Sequence, residues 1–256
     1  MEIGKNLKIV VIGIILCLAS SGLNIWMVVK ENFNYESLID DLLILGVIIW
    51  GIQFIAIGKK LCKAGYTQTG VVTAGGALIL WAITLIIYEL FGDEDLMAPD
   101  TLSFYVWNAI LLLGPAIFYF SLKQNEDDDD DIFMGMASYG MGAVVLSTLL
   151  LIGCIILVFV TDSGIGISVK SYGDLTVVEK SYYSLLAEWI VENFKGVTIA
   201  LISLEALGYL LCLCSLVGLN DFVRDLQDYE EQEKKEKLMN ELLNNYEAQK
   251  KQEALK

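Results

Sequence analysis

Apolar residues in this chain come in long blocks separated by short polar segments, unlike the short periodic patterns of a water-soluble core. A helix rises about 1.5 Å per residue and the hydrocarbon core of a bilayer is about 30 Å thick, so a block of about 20 residues can cross it. The pattern predicts an all-α integral membrane protein with six transmembrane helices, at residues 9–29, 38–58, 71–90, 101–122, 132–160 and 196–219.

The first two blocks need separate arguments. The first follows a basic flank, as a secretory signal does, but its apolar run is far longer than the ~7–15 residues of a signal core, so we interpret it as an uncleaved helix. The second has a clean apolar core only at residues 42–57, close to the lower limit of ~17 residues for a span, and that core includes Gln53. The second span is therefore the weakest of the six.

Small residues are concentrated in two spans and predict where helices approach closely, since small side chains let backbones come together in a membrane. One group is Ala74-Gly75-Gly76-Ala77 in the third span, and the other, at the start of the fifth, comprises Gly135, Ser138, Gly140, Gly142 and Ala143. In the fourth span Gly114-Pro115 predicts a kink, because proline cannot donate a backbone hydrogen bond.

Residues 161–195 form a predicted outer loop domain between the fifth and sixth spans. Apolar and polar residues alternate on both sides of the turn-prone Ser171-Tyr172-Gly173-Asp174, which predicts a hairpin. The segment after it brings several apolar side chains to one helical face, as in a helix lying at the membrane surface. These are Tyr182, Leu186, Trp189 and Ile190.

After the sixth span the composition changes abruptly, which divides the chain into a transmembrane domain, 1–219, and a charged tail, 220–256. The tail lacks proline and glycine and is predicted to be helical. Its apolar residues share faces at each end, but the central run EEQEKKEK interrupts them before three to four heptads accumulate, so a coiled coil is not predicted. We expect the tail to dock on a protein partner or on its own chain.

Positive charge predicts the orientation. Of the 17 Lys and Arg residues, all but Lys30, Lys170, Lys180 and Lys195 fall on the side that carries both termini. Because basic residues concentrate on the cytoplasmic side, both termini and the helical tail are predicted to be cytoplasmic. The predicted location is the cell membrane, with an internal membrane as the alternative.

Composition excludes several functions. The net charge of −15 and the lack of a basic cluster argue against nucleic-acid binding. The chain has no histidine, which removes His-dependent catalysis and His ligation of metals, and it has no phosphate-binding glycine loop, nucleophile elbow or zinc-binding pair. We therefore predict that it is not an enzyme, with no catalytic residues, metal or cofactor, and that its surroundings are the lipid bilayer.

One residue stands out as a candidate functional site. Glu205 lies near the middle of the sixth span, where an ionisable side chain costs on the order of 2.5–3.5 kcal/mol and is a functional hypothesis by default. Counted inward from the membrane boundary, Asn108 on the fourth span and Thr84 on the third lie at a similar depth. Either is a candidate to share a hydrogen bond with it.

Two functions remain open. In the favoured one, the protein is a membrane assembly or interaction partner that acts through helix packing and through its tail. In the alternative, it is an ion- or proton-coupled small-solute transporter or a channel-like protein, in which Glu205 exchanges a proton or coordinates a small cation.

The distribution of basic residues generates a topology prediction. In a background without native cysteines, Asp95→Cys and Lys180→Cys should react with an impermeant thiol reagent added outside the cell, whereas Lys60→Cys should not. Labelling of position 60 from outside would contradict the six-span arrangement, and the short second span would be the first to be reconsidered.

Overall fold

A computed structural model describes residues 3–31, 34–63, 69–91, 101–123, 132–162, 167–172, 175–180 and 182–254. The helices in these ranges are α1 (Ile3–Lys30), α2 (Glu36–Lys63), α3 (Thr69–Phe91), α4 (Leu102–Lys123), α5 (Ile132–Asp162), α6 (Tyr182–Glu192) and α7 (Phe194–Ala254). Two strands, β1 (Ile167–Tyr172) and β2 (Leu175–Lys180), lie between α5 and α6. The sequence between α4 and α5 contains six consecutive carboxylates, Glu126 to Asp131, and these lie outside the described residues.

Six of the described helices are long and apolar enough to cross a membrane, which confirms the predicted number of spans. Their mean hydropathy runs from 1.5 in α4 to 3.0 in α5. The second, weakest block belongs to a spanning segment of 26 residues, Ser37–Cys62, with a mean hydropathy of 2.1. It reaches spanning length because the helix continues on both sides of the apolar core that the sequence pattern identifies.

The six spanning helices form a closed ring. Each packs against the next along the chain, from α1 through α5, and α7 then packs against both α5 and α1. The interior is an apolar core of mostly aliphatic side chains that also contains aromatic rings. Trp50 and Phe54 of α2 contact Phe118 of α4, with ring centroids 5.4 and 5.9 Å apart, although α2 and α4 are not neighbours in the ring. All three side chains are buried, so α2 and α4 are packed together through these rings.

Three helix crossings in the ring depend on reciprocal pairs of glycines. Gly13 of α1 faces Gly46 of α2, Gly51 of α2 faces Gly75 of α3, and Gly140 of α5 faces Gly208 of α7. In every pair a Cβ built on one glycine would lie 2.5 to 2.9 Å from the carbonyl oxygen of the other. The backbones are therefore in direct contact, as predicted at Gly75 and Gly140, with no room for a side chain between them.

The fourth helix also packs closely on its neighbour through a glycine. Gly114 of α4 lies directly against Ala77 and Trp81 of α3, so that a Cβ there would collide with the Trp81 side chain. The helix continues through Pro115 to Lys123.

The segment between α5 and α7 contains the hairpin and a short helix. β1 and β2 pair in antiparallel register, with Ile167 opposite Lys180 and Tyr172 opposite Leu175. Helix α6 buries the strip Ser184, Ala187 and Ile190 and packs on α5. Ile190 therefore belongs to the packed side of α6, whereas the other members of the predicted surface face, Tyr182, Leu186 and Trp189, are exposed.

At the end of the bundle beside α6, Lys195 near the start of α7 binds to the end of α1. Its Nζ donates to the carbonyl oxygen of Val29 in the last turn of α1 at 2.9 Å and lies 3.0 Å from Oε1 of Glu31. The bond to Val29 satisfies a carbonyl that a helix end leaves without an internal partner. The exposed ion pair itself adds about 1 kcal/mol or less.

The glycine crossings generate a prediction with a built-in control. Gly208→Ala should lower the free energy of unfolding by about 1–3 kcal/mol, because the new methyl group meets the backbone of α5 and the helices must move apart. Gly153→Ala, on α5 with nothing within 4 Å of the added Cβ, should be neutral or stabilising by up to about 1 kcal/mol, since alanine favours the helix.

Reversible unfolding of the two variants in detergent micelles or bicelles measures both changes. Equal effects of the two substitutions would show that the crossing of α5 and α7 does not require the absence of a side chain at position 208.

Candidate functional site

Glu205 lies on α7, eleven residues or about 16 Å from the helix start at Phe194, close to the middle of a bilayer. Its Oε1 accepts a hydrogen bond of 2.8 Å from the hydroxyl group of Tyr209. Tyr209 is four residues further along the same helix and is fully buried, while Glu205 is partly buried. The carboxyl group and the phenol therefore form a polar pair on one face of α7.

Two thiols complete the surroundings of this pair. Cys17 of α1 and Cys212 of α7 are buried and belong to the same core cluster of buried side chains as Tyr209. The Cys212 thiol donates to the carbonyl oxygen of Ala137 on α5 at 3.5 Å. The candidate site thus sits where α1, α5 and α7 meet, and we call it the Glu205 cluster: Glu205, Tyr209, Cys17 and Cys212.

The two hydrogen-bond partners predicted for Glu205 bond elsewhere. Nδ2 of Asn108 donates to the carbonyl oxygen of Phe104 at 2.8 Å, and Oγ1 of Thr84 donates to that of Trp81 at 2.7 Å, each within its own helix. Counting residues from the membrane boundary predicted a similar depth for these side chains. The count carries no information about which helices are neighbours. The main neighbours of α7 are α5 and α1, not α3 or α4, and the hydrogen-bond partner of Glu205 is Tyr209 of α7 itself.

Sequence reasoning missed Tyr209, although the signal was present. Residues four apart on a helix lie on the same face, so the spacing of Glu205 and Tyr209 alone brings an acceptor and a donor together. The presence of Cys17 in the cluster could not be predicted from local spacing in the sequence, because it requires α1 to pack on α7.

The chemistry available to the Glu205 cluster is hydrogen bonding in a packed setting. A carboxyl group taken out of water is favourable only when it is hydrogen-bonded or neutralised, and Tyr209 provides that bond. Among the described residues no group of three or more His, Cys, Asp and Glu side chains is arranged to hold a metal ion. Two cavities lie at the edges of the ring, one of about 770 Å³ and one of about 380 Å³, and Glu205 lines neither.

No family model, curated protein or solved structure matches this chain. The fold nevertheless defines a class: a multi-pass helical membrane protein with six spanning helices, the last of which continues as a long helix.

A double-mutant cycle tests whether the Glu205 and Tyr209 side chains are coupled as the structure indicates. Tyr209→Phe removes the donor and should lower the free energy of unfolding by about 0.6 kcal/mol, and by about 1.7 kcal/mol at most. In a Glu205→Leu background the same change should cost almost nothing, because the bond is already lost. Tyr139→Phe, at an exposed position on α5, is the control and should have no effect.

Glu205→Gln keeps the shape and an oxygen that can accept the hydrogen bond from Tyr209, so it should fold about as stably as the unchanged chain. A Gln variant that folds normally and yet abolishes a proton- or cation-coupled flux in vesicles would show that the carboxyl group ionises in use, and would overturn a packing role.

Proposed function

We propose that this protein is a membrane assembly or interaction partner: the six-helix ring anchors α7, and the part of α7 beyond the membrane presents a surface to another protein. The observation that carries the proposal is the continuity of α7, which runs for 61 residues from Phe194 to Ala254 without a break. Its membrane-spanning segment ends at Asp221, so the remaining 33 residues extend about 50 Å further.

The extension carries apolar side chains in an exposed position. Leu238 and Met239 are each 60% exposed, on a helix whose other described residues nearby are polar. Adjacent exposed apolar residues on a charged helix are typical of a surface that a partner covers. We call Leu238 and Met239 the tail contact.

The side of the membrane on which the tail lies follows from charge. The excess of Lys and Arg at both termini and in the loop after α2 supports a cytoplasmic tail. The partner that we propose is accordingly a cytoplasmic protein, and the membrane is proposed to be the cell membrane.

The transport alternative has less support. It depends on Glu205, whose carboxyl group accepts a hydrogen bond from Tyr209 and lines neither of the two cavities. In addition, the space between α2 and α4 is occupied by the buried rings of Trp50, Phe54 and Phe118, which contact one another. These contacts favour a role in packing for the Glu205 cluster.

The tail contact generates the test of the proposal. A photoreactive amino acid placed at the exposed Lys235 should form one adduct of defined mass in native membranes. Leu238→Ala combined with Met239→Ala should reduce its yield roughly tenfold or more, because each lost CH₂ group contributes about 0.8 kcal/mol when buried and 1.4 kcal/mol corresponds to tenfold in affinity.

The matched control replaces two exposed polar residues on the same stretch, Gln232→Ala and Asn240→Ala, which also preserves the helix. The adduct should persist in the control. Loss of the adduct to the same extent in both double variants, or no adduct at all in the chain whose only change is the photoreactive amino acid at position 235, would refute the tail contact as an interaction surface.

A further inference from the structure

The larger cavity, of about 770 Å³, opens at the side of the ring between α5, α6 and the first turns of α7. Its walls are mostly aliphatic and aromatic. We call it the lateral cavity, and its principal wall residues are Leu151, Cys154, Ile155, Val158, Ile190 and Val197.

The lateral cavity reaches the depth of one lipid leaflet. On α5 its lining extends from Thr161 to Leu151, a distance of about 15 Å along the helix and half of the ~30 Å hydrocarbon core. Leu151 and Ile155 line the cavity and are also exposed on the outer surface of the ring, 37% and 36% respectively. The opening therefore faces the region that acyl chains occupy.

Two polar groups in the lining lack a partner in the described part of the chain. Oγ1 of Thr198, one turn into α7, is buried without a hydrogen bond. The exposed carboxyl group of Glu192, at the end of α6, has no ion pair there, because the nearby Lys195 is bound to Val29 and Glu31.

We propose that the lateral cavity binds one phospholipid with a primary ammonium headgroup, of the phosphatidylethanolamine class. One acyl chain lies along the α5 wall, and the ammonium group lies beside Glu192. Charge complementarity selects this headgroup, since the exposed carboxylate of Glu192 at the rim attracts an ammonium group and repels a net anionic lipid.

Depth distinguishes a lipid from a spanning helix of another protein. Such a helix would follow α5 across the full bilayer thickness, whereas the lining of the lateral cavity stops at Leu151. The exposed aromatic residues of α6, Tyr182, Tyr183 and Trp189, lie at the same end of the ring as the rim and are typical of the headgroup level.

Native mass spectrometry of the full chain tests the proposal. The protein is released from nanodiscs that contain equal amounts of phosphatidylethanolamine and phosphatidylglycerol, and the lipids that remain bound are counted. We expect one retained phosphatidylethanolamine, in at least fivefold excess over phosphatidylglycerol. Equal retention of the two lipids, or a preference for the anionic one, would overturn the proposal.

Two pairs of variants locate the site. Cys154→Trp fills the lateral cavity and should abolish the retained lipid, whereas Leu150→Trp, on the adjacent exposed face of α5, should not. Glu192→Gln should remove the preference for phosphatidylethanolamine, whereas Glu89→Gln, at an exposed position near the end of α3, should keep it.

Since Glu192 is exposed, its substitution leaves the packing of the ring intact and tests the proposal even if Cys154→Trp fails to fold. Retention unchanged in a folded Cys154→Trp variant, or an unchanged preference in Glu192→Gln, would show that the lipid binds elsewhere.

Discussion

Direct backbone contact between helices is the constraint on which the rest of this structure depends. In a bilayer the lipid tails are as apolar as leucine, so burial of apolar surface drives helix association only weakly, and close packing must supply most of it. The glycine pairs Gly13 with Gly46, Gly51 with Gly75 and Gly140 with Gly208 provide that contact at three of the six crossings of the ring. The last pair joins α7 to α5 and so brings the final helix back to the first.

The Glu205 cluster is a product of this closure. Glu205 and Tyr209 would be neighbours on any helix with this sequence, but Cys17 reaches them only because α1 packs on α7. Gly46 belongs to the same arrangement, since a Cβ at that position would lie 2.8 Å from Sγ of Cys17. The polar pair and the glycine crossings are therefore parts of one packed region.

The spans could be predicted from the sequence because length and hydropathy act locally, residue by residue, on insertion into a bilayer. Close approach at Gly75 and Gly140 was also predictable, since small residues mark helix contacts. Their partners Gly51 and Gly208 were not, because a glycine in an apolar run does not reveal which helix it meets. Asn108 and Thr84 failed as partners of Glu205 for the same reason: depth can be counted along a chain, but the order of helices around a ring cannot.

The unbroken helix α7 has a mechanical consequence. A helix turns by about 100° per residue, so the direction in which Leu238 and Met239 point is determined by the rotation of α7 at its crossing with α5, more than 40 Å away along the axis. The glycine contact at Gly208 thereby sets the angular position of a surface that lies far outside the membrane. The partner that we propose for that surface would therefore be linked to the packing of the spanning helices through one continuous helix, so that a rotation of α7 at Gly208 would also rotate the surface.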